Sequence, residues 1–380
     1  MNKPPSHILG IIIFSQFAGT SVWFAGNAVL PDLMQKFSHN DHAIRNITTT
    51  VLLGFILGTL VFAMLAIADR FKPSVVFFIS TCVAATANVL MLVAGNYETV
   101  LMLRFVTGFF LAGIYPVGMK IAADYFEKGL GKALGYLVGA LVLGTAFPYL
   151  LKGMDLALPW KSVIIFVSVF AVAGGLSILL FVPPGPFRKP AQQFRIKNVF
   201  AAFRSRGFRS AAFGYFGHMW ELYTFWAFVP LIFYNHDPSQ KISLLTFFVI
   251  GIGSLGCVIG GIISQRSGSK KVALISLIFS FTCCLLLYLM IDAPAIVFIP
   301  YMLVWGITVI SDSPQFSAMV AAAAPVEQRG TALTIVTSIG FAITVVSILI
   351  IDQLISRDVR LVPAIVAIGP LIGIIAIKKR

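Results

Sequence analysis

The sequence predicts an all-α membrane protein with twelve transmembrane helices arranged as two pseudo-symmetric six-helix bundles. Three observations carry that expectation. The chain is 58% hydrophobic and only 11% charged over 380 residues, with mean hydropathy +0.94, whereas a soluble chain carries about 25% charge. Apolar stretches of spanning length, about 20 residues each, recur from one end to the other. Short segments in the first half return in the second at an offset close to half the length. A membrane barrel is excluded because its strands alternate apolar and polar residues, and these stretches do not. Soluble enzymes, nucleic-acid binders and secreted disulfide scaffolds are excluded by the same composition.

The predicted spans lie near residues 8–34, 44–68, 74–95, 98–123, 131–151, 161–182, 209–234, 242–265, 271–291, 295–322, 330–351 and 360–377. The first apolar stretch runs past Trp23 to Leu30, so it is expected to be retained as a helix and not cleaved as a leader. Cys82, Cys257, Cys283 and Cys284 all lie inside spans. They read as small buried hydrophobes, with neither disulfide nor metal spacing. Residues 183–208 are basic and proline-containing and separate six spans from six. The expected organisation is an N-terminal bundle over 1–182, a cytoplasmic linker over 183–208, and a C-terminal bundle over 209–380. Within the linker, the apolar segment IKNVFAAF is expected to form a short amphipathic helix on the inner leaflet.

Orientation follows from Lys and Arg. With both termini cytoplasmic, 19 basic residues fall on inner loops and 7 on outer ones, leaving Arg104 and Lys120 within a span. That bias explains the net charge of +14 as topology and removes nucleic acid as a partner. Short loops point to a bacterial inner membrane, with the chain a monomer in the bilayer.

The internal repeat is visible in two places. LAIADRFKPSVV (65–76), after the second span, is echoed by GIISQRSGSKKV (261–272), after the eighth, at an offset of 196. Gly131-Lys132-Ala133-Leu134 is echoed by Gly330-Thr331-Ala332-Leu333 at an offset of 199. These loops resemble the motif Gly-x-Leu-Ala-Asp-Arg-x-Gly-Arg-Arg/Lys of the major facilitator superfamily. Asp69 and Arg70 match it in the first half; Gly261, Arg266, Gly268 and Lys270 match in the second. Arg104 and Gly108 are similar to the family's fourth-span Arg-x-x-x-Gly pattern. Gly135, Gly139, Gly144 and Pro148 resemble the fifth-span motif of its exchangers. The resemblance spans essentially the whole chain, loosely in the style of nitrate/nitrite–cyanate porters or drug exchangers. It implies a fold in which spans one, four, seven and ten line a central cavity. It also implies that Asp69, Arg70 and Arg266 form a conformational latch at the cytoplasmic helix ends.

A charge at bilayer depth costs about 2.5–3.5 kcal/mol on insertion scales, so each one needs a reason. Arg104 and Lys120 lie in span four, His218 and Glu221 in span seven, and Asp312 in span ten. All five fall on the spans the resemblance assigns to the cavity. His218 and Glu221, three residues apart, share a helical face; with Asp312 they are the candidate proton-coupling groups. Glu221 is alternatively a permanent partner of a span-four cation, and Asp312 of Lys120. Arg104 is an anion ligand, a fixed charge beside an acid, or an arginine satisfied by backbone carbonyls; Lys120 alternatively snorkels to the inner surface. Pro116 and Pro314, 198 residues apart, predict bends at matching places in spans four and ten. Paired interrupted helices point to a transporter binding site. Substrate-binding candidates are therefore Arg104, His218, Asp312 and Gln315, together with Gln16, Trp23 and Asn27. Those last three form, with Thr20, a polar-aromatic stripe along span one.

The function expected is secondary active transport of a small solute by alternating access, proton-coupled, with an organic anion as substrate. The nitrate porters' arginines in spans two and eight are missing, which argues against inorganic nitrate. The alternative is a proton antiporter exporting amphipathic cations, drugs or sugars. Neither a P-loop nor a nucleophile elbow occurs, so an ATP-driven pump or an enzyme is not expected. No cofactor or metal is expected either.

Overall fold

The computed structural model describes residues 6–38, 42–126, 130–154, 159–188, 202–325, 329–355 and 361–378, and every regular element among them is helical. Most of the expected amphipathic segment, 196–201, lies outside the described residues. So do Lys3, Lys128, Lys189, Arg195, Lys197, Arg357, Arg360, Lys379 and Arg380. Among the described residues nine helices are long and apolar enough to cross a membrane, and they coincide with predicted spans two to six and eight to eleven. Shorter apolar helices, His7–Thr20 and Val362–Lys378, stand where the first and last spans were expected. The seventh position holds a 31-residue helix diluted by polar and aromatic residues. The chain divides into two compact units, Met1–Phe194 and Arg195–Arg380.

In the first unit, span one is not one helix. It runs as α1 (Ser6–Thr20), α2 (Ala25–Ala28) and α3 (Leu30–Phe37). The break follows Thr20 and Ser21, whose hydroxyls return to the carbonyls of Gln16 (2.7 Å) and Ala18 (2.6 Å), a bond that competes with the helical ladder. Next come α4 (Ala43–Met64), α5 (Ile67–Arg70) and α6 (Pro73–Leu90). Span four is α7 (Tyr97–Leu111) and α8 (Tyr115–Tyr125), separated just ahead of Pro116, which sits in the first turn where its missing amide is not needed. The unit closes with α9 (Leu130–Gly153) and α10 (Trp160–Phe181).

The second unit opens with α11 (Arg206–His236), continuous through Pro230. At its end the Asp237 carboxylate accepts the Ser239 hydroxyl (2.6 Å) and amide (2.9 Å), which hold it below the usual carboxylate range. Span eight is α12 (Ile242–Gly251) and α13 (Gly253–Ser267), and span nine is α14 (Ser269–Met290). Span ten is α15 (Ala295–Ser311) and α16 (Ser313–Ala323), interrupted at Asp312 ahead of Pro314. α17 (Arg329–Ile355) and α18 (Val362–Lys378) follow. Both proline-marked breaks therefore fall where the sequence expected them.

The repeat is also written in the packing. Gly108 lies so close to α4 that a Cβ there would meet the Val51 carbonyl; Gly306 stands in the same relation to Val249, 198 residues on. Gly58 against the Phe109 carbonyl recurs as Gly256 against Ile307 at the same offset. Gln16 packed on Gly118 recurs as Gly214 packed on Phe316, with large and small partners exchanged. Small residues let membrane helices approach closely enough for backbone contact, and each unit uses that device at the same places.

Candidate functional site

Arg104, on α7, is the fully buried cation of the first unit. One terminal nitrogen donates to the Val22 carbonyl at 3.0 Å and to Asn88 Oδ1 at 3.3 Å, and the other to the Trp23 carbonyl. The break in span one frees those two carbonyls from a helical ladder, and the guanidinium takes them up. Asn88 on α6 passes the network on, donating to Ser168 Oγ on α10 at 3.0 Å. Gly26 leaves room for the side chain, since a Cβ there would stand 3.1 Å from Arg104 Nε. No carboxylate reaches Arg104 among the described residues. Of the readings open at the sequence level, the backbone carbonyls are the ones it satisfies.

The expected stripe on span one is split by the same break. Gln16 remains on α1, fully buried, with neither atom of its amide bonded among the described residues. Thr20 is turned onto its own backbone. Trp23 packs against Phe55 with ring centroids 4.9 Å apart, and Asn27 donates to Thr48 at 2.7 Å. The stripe requires an unbroken 3.6-residue period, and the chain does not keep it beyond Thr20.

In the second unit, Glu221 stands midway along α11, 1% exposed. Its Oε1 accepts from Ser280 Oγ (2.5 Å), Trp305 Nε1 (2.7 Å) and Cys284 Sγ (3.2 Å). One turn away, His218 Nδ1 lies 2.8 Å from Asp312 Oδ1, both side chains buried. The rings of Tyr215 and Phe316 flank the imidazole at 5.8 and 6.2 Å, and its Nε2 has no partner among the described residues. Gln315, three residues beyond Asp312, is buried beside Gly260.

Within the second unit, Glu221 is thus met by neutral donors and Asp312 by His218. In the first unit Lys120 binds Asp69 at 2.6 Å, with both side chains a quarter exposed. It stands little more than one turn from the end of α8, which closes at Phe126. Arg188 bonds the Asp69 and Phe71 carbonyls at 3.1 and 2.9 Å. Arg70 and Arg266 are exposed. Asn88, Ser168, Ser280, Cys284 and Trp305 were missed because a search for charges passes over neutral partners.

Residues 12–348 match the family model of the Major Facilitator Superfamily. An uncharacterized transporter of Rickettsia bellii is 24% identical over 279 residues, 68% of this chain and 65% of the relative. A transporter of the ascochitine biosynthesis cluster of Didymella fabae is 31% identical over 135 residues, 34% of this chain and 26% of the relative. The chain thus spans less than two thirds of either relative's length. Among solved structures, the human organic anion transporter MFSD10 (TETRAN) superposes with a TM-score of 0.80 at 13% identity, covering 99% of each chain, a likeness of fold.

Proposed function

The chain belongs to the Major Facilitator Superfamily, and on that premise we propose that it is a proton-coupled secondary transporter of a small organic anion, working by alternating access. The proposed arrangement is twelve crossings of a bacterial inner membrane as a monomer, with both termini and the 183–208 linker cytoplasmic. The observation that carries the reading is the unequal distribution of buried charge. Among the described residues of the first unit, Asp32, Asp69, Glu98 and Asp124 all stand near helix ends, leaving Arg104 the fixed interior charge. The second unit instead buries the titratable groups Glu221, His218 and Asp312.

A cation that cannot give up its proton, with no carboxylate beside it among the described residues, makes its surroundings attractive to an anion. Its two terminal nitrogens are engaged by Val22, Trp23 and Asn88 while Nε has no partner among the described residues, so Arg104 acts through its field, through the backbone it holds and through the donors it has left. Direct polar contacts fall to the unbonded Gln16 amide, with Trp23, Asn27 and Gln315 completing the candidate set. Glu221 carries the coupled proton, with His218 and Asp312 as a second titratable pair. Asp69, Arg70 and Arg266 serve as the cytoplasmic latch. One observation favours the second reading, export of amphipathic cations: the Glu221 carboxylate is held by the Trp305 indole, whose ring lies tilted against Phe225 with centroids 4.3 Å apart.

Replacing Glu221 with Gln tests the proton assignment. Uptake driven by a pH gradient is lost while exchange of substrate across the membrane persists. Driven uptake that survives intact passes the role to Asp312 or His218.

A further inference from the structure

Glu221 receives three donors on one oxygen, and none of the three residues carries a formal charge. Ser280 and Cys284 come from successive turns of α14, and Trp305 comes from α15. The Trp305 ring is fixed by Phe225 on one side and by Tyr301 at a centroid distance of 6.0 Å. Tyr301 is in turn held by a 2.6 Å bond from its hydroxyl to the Cys283 carbonyl. The donors are therefore held in place by packing instead of being gathered by the carboxylate.

We infer that Ser280, Cys284 and Trp305 are positioning residues that set the protonation equilibrium of Glu221, which brings α14 into the coupling machinery although no candidate site residue lies on it. The inference rests on the reading of Glu221 as the proton carrier. Its physical basis is that a hydrogen bond to an ionised carboxylate is roughly twice as strong as one to a neutral group. A fixed set of donors therefore binds one protonation state more tightly than the other. The other titratable groups close enough to feel the Glu221 charge are Asp312, Cys283 and Tyr301, with His218 one turn away on α11. Elsewhere in this unit α13 carries Cys257 and Arg266, α17 carries Arg329 and Asp352, and α18 carries Lys378, while α12 and α16 carry no titratable side chain.

Infrared difference spectroscopy of the purified protein, titrated over roughly pH 4 to 10, reads the equilibrium without any substrate. The carboxyl band of protonated Glu221 is the one absent from Glu221→Gln. Trp305→Phe and Ser280→Ala each remove a donor, and both displace the band's midpoint in one direction by about one pH unit. Cys284→Ser replaces a weak S–H donor with an O–H, so it displaces the midpoint in the opposite direction. This near-isosteric change keeps the test decisive if Ser280→Ala does not fold. A Glu221 band that titrates at the parental midpoint in all three variants overturns the inference and leaves the proton carrier standing. A Glu221 band that does not titrate at all overturns both.

Discussion

His218 Nδ1 lies 2.8 Å from Asp312 Oδ1, and that close contact ties the middle of α11 to the point where α15 gives way to α16. Asp312 terminates one helix and precedes the other, so its carboxylate sits at the break in span ten. A pair at such a junction links a titratable side chain to the geometry of a broken helix.

Removing one partner of a buried pair leaves the other uncompensated, at about 3–5 kcal/mol. Asp312→Asn and His218→Gln are each expected to destabilise the detergent-solubilised protein by that order. The double variant loses clearly less than the sum of the two, because residues in contact do not contribute independently. Thermal unfolding of all three variants checks it, and strictly additive losses would show that the two side chains are not coupled.

Arg104 holds two carbonyls and an amide oxygen at once, which a single ammonium cannot do in the same geometry. Arg104→Lys is expected to lose about 1–3 kcal/mol of stability while keeping most of its affinity for the transported anion. Arg104→Met loses the charge as well, and its apparent affinity falls by more than tenfold, about 1.4 kcal/mol. Equal affinities in the two variants would remove the electrostatic role.

Gly108→Ala and Gly306→Ala each place a Cβ against a backbone carbonyl, that of Val51 or of Val249. Overpacking of this kind costs about 1–3 kcal/mol, and the two losses are expected to be alike because the contact is repeated. Gly10→Ala is the control, since nothing lies within 4 Å of a Cβ there. Unfolding temperatures that leave the two variants level with that control would refute the repeated close contact.

What was legible in the sequence is what is expensive in a bilayer. Arg104, Glu221 and Asp312 stood out because an interior charge needs a reason, and Pro116 and Pro314 marked their breaks because proline cannot continue a helical ladder. The break after Thr20 carries no proline. It comes from Thr20 and Ser21 turning back on their own backbone, a bond that Thr81 also makes inside the unbroken α6, so residue type alone does not announce it. Ser280 and Ser276 look alike in sequence, and only the packing of α14 gives Ser280 the Glu221 oxygen. The sequence leaves Lys120 open between the span and the inner surface, and only the fold shows that Asp69 from the α5 segment comes to meet it.

The central claim is that an anion enters together with a proton. The measurement that tests it most directly is internal pH in proteoliposomes holding the purified protein, as organic anions, sugars and lipophilic cations are added outside one class at a time. Acidification on addition of organic anions, absent from empty liposomes and from vesicles holding Glu221→Gln, is the predicted result. Alkalinisation on addition of a cation, with no response to any anion, would contradict it and establish proton-coupled cation transport in its place.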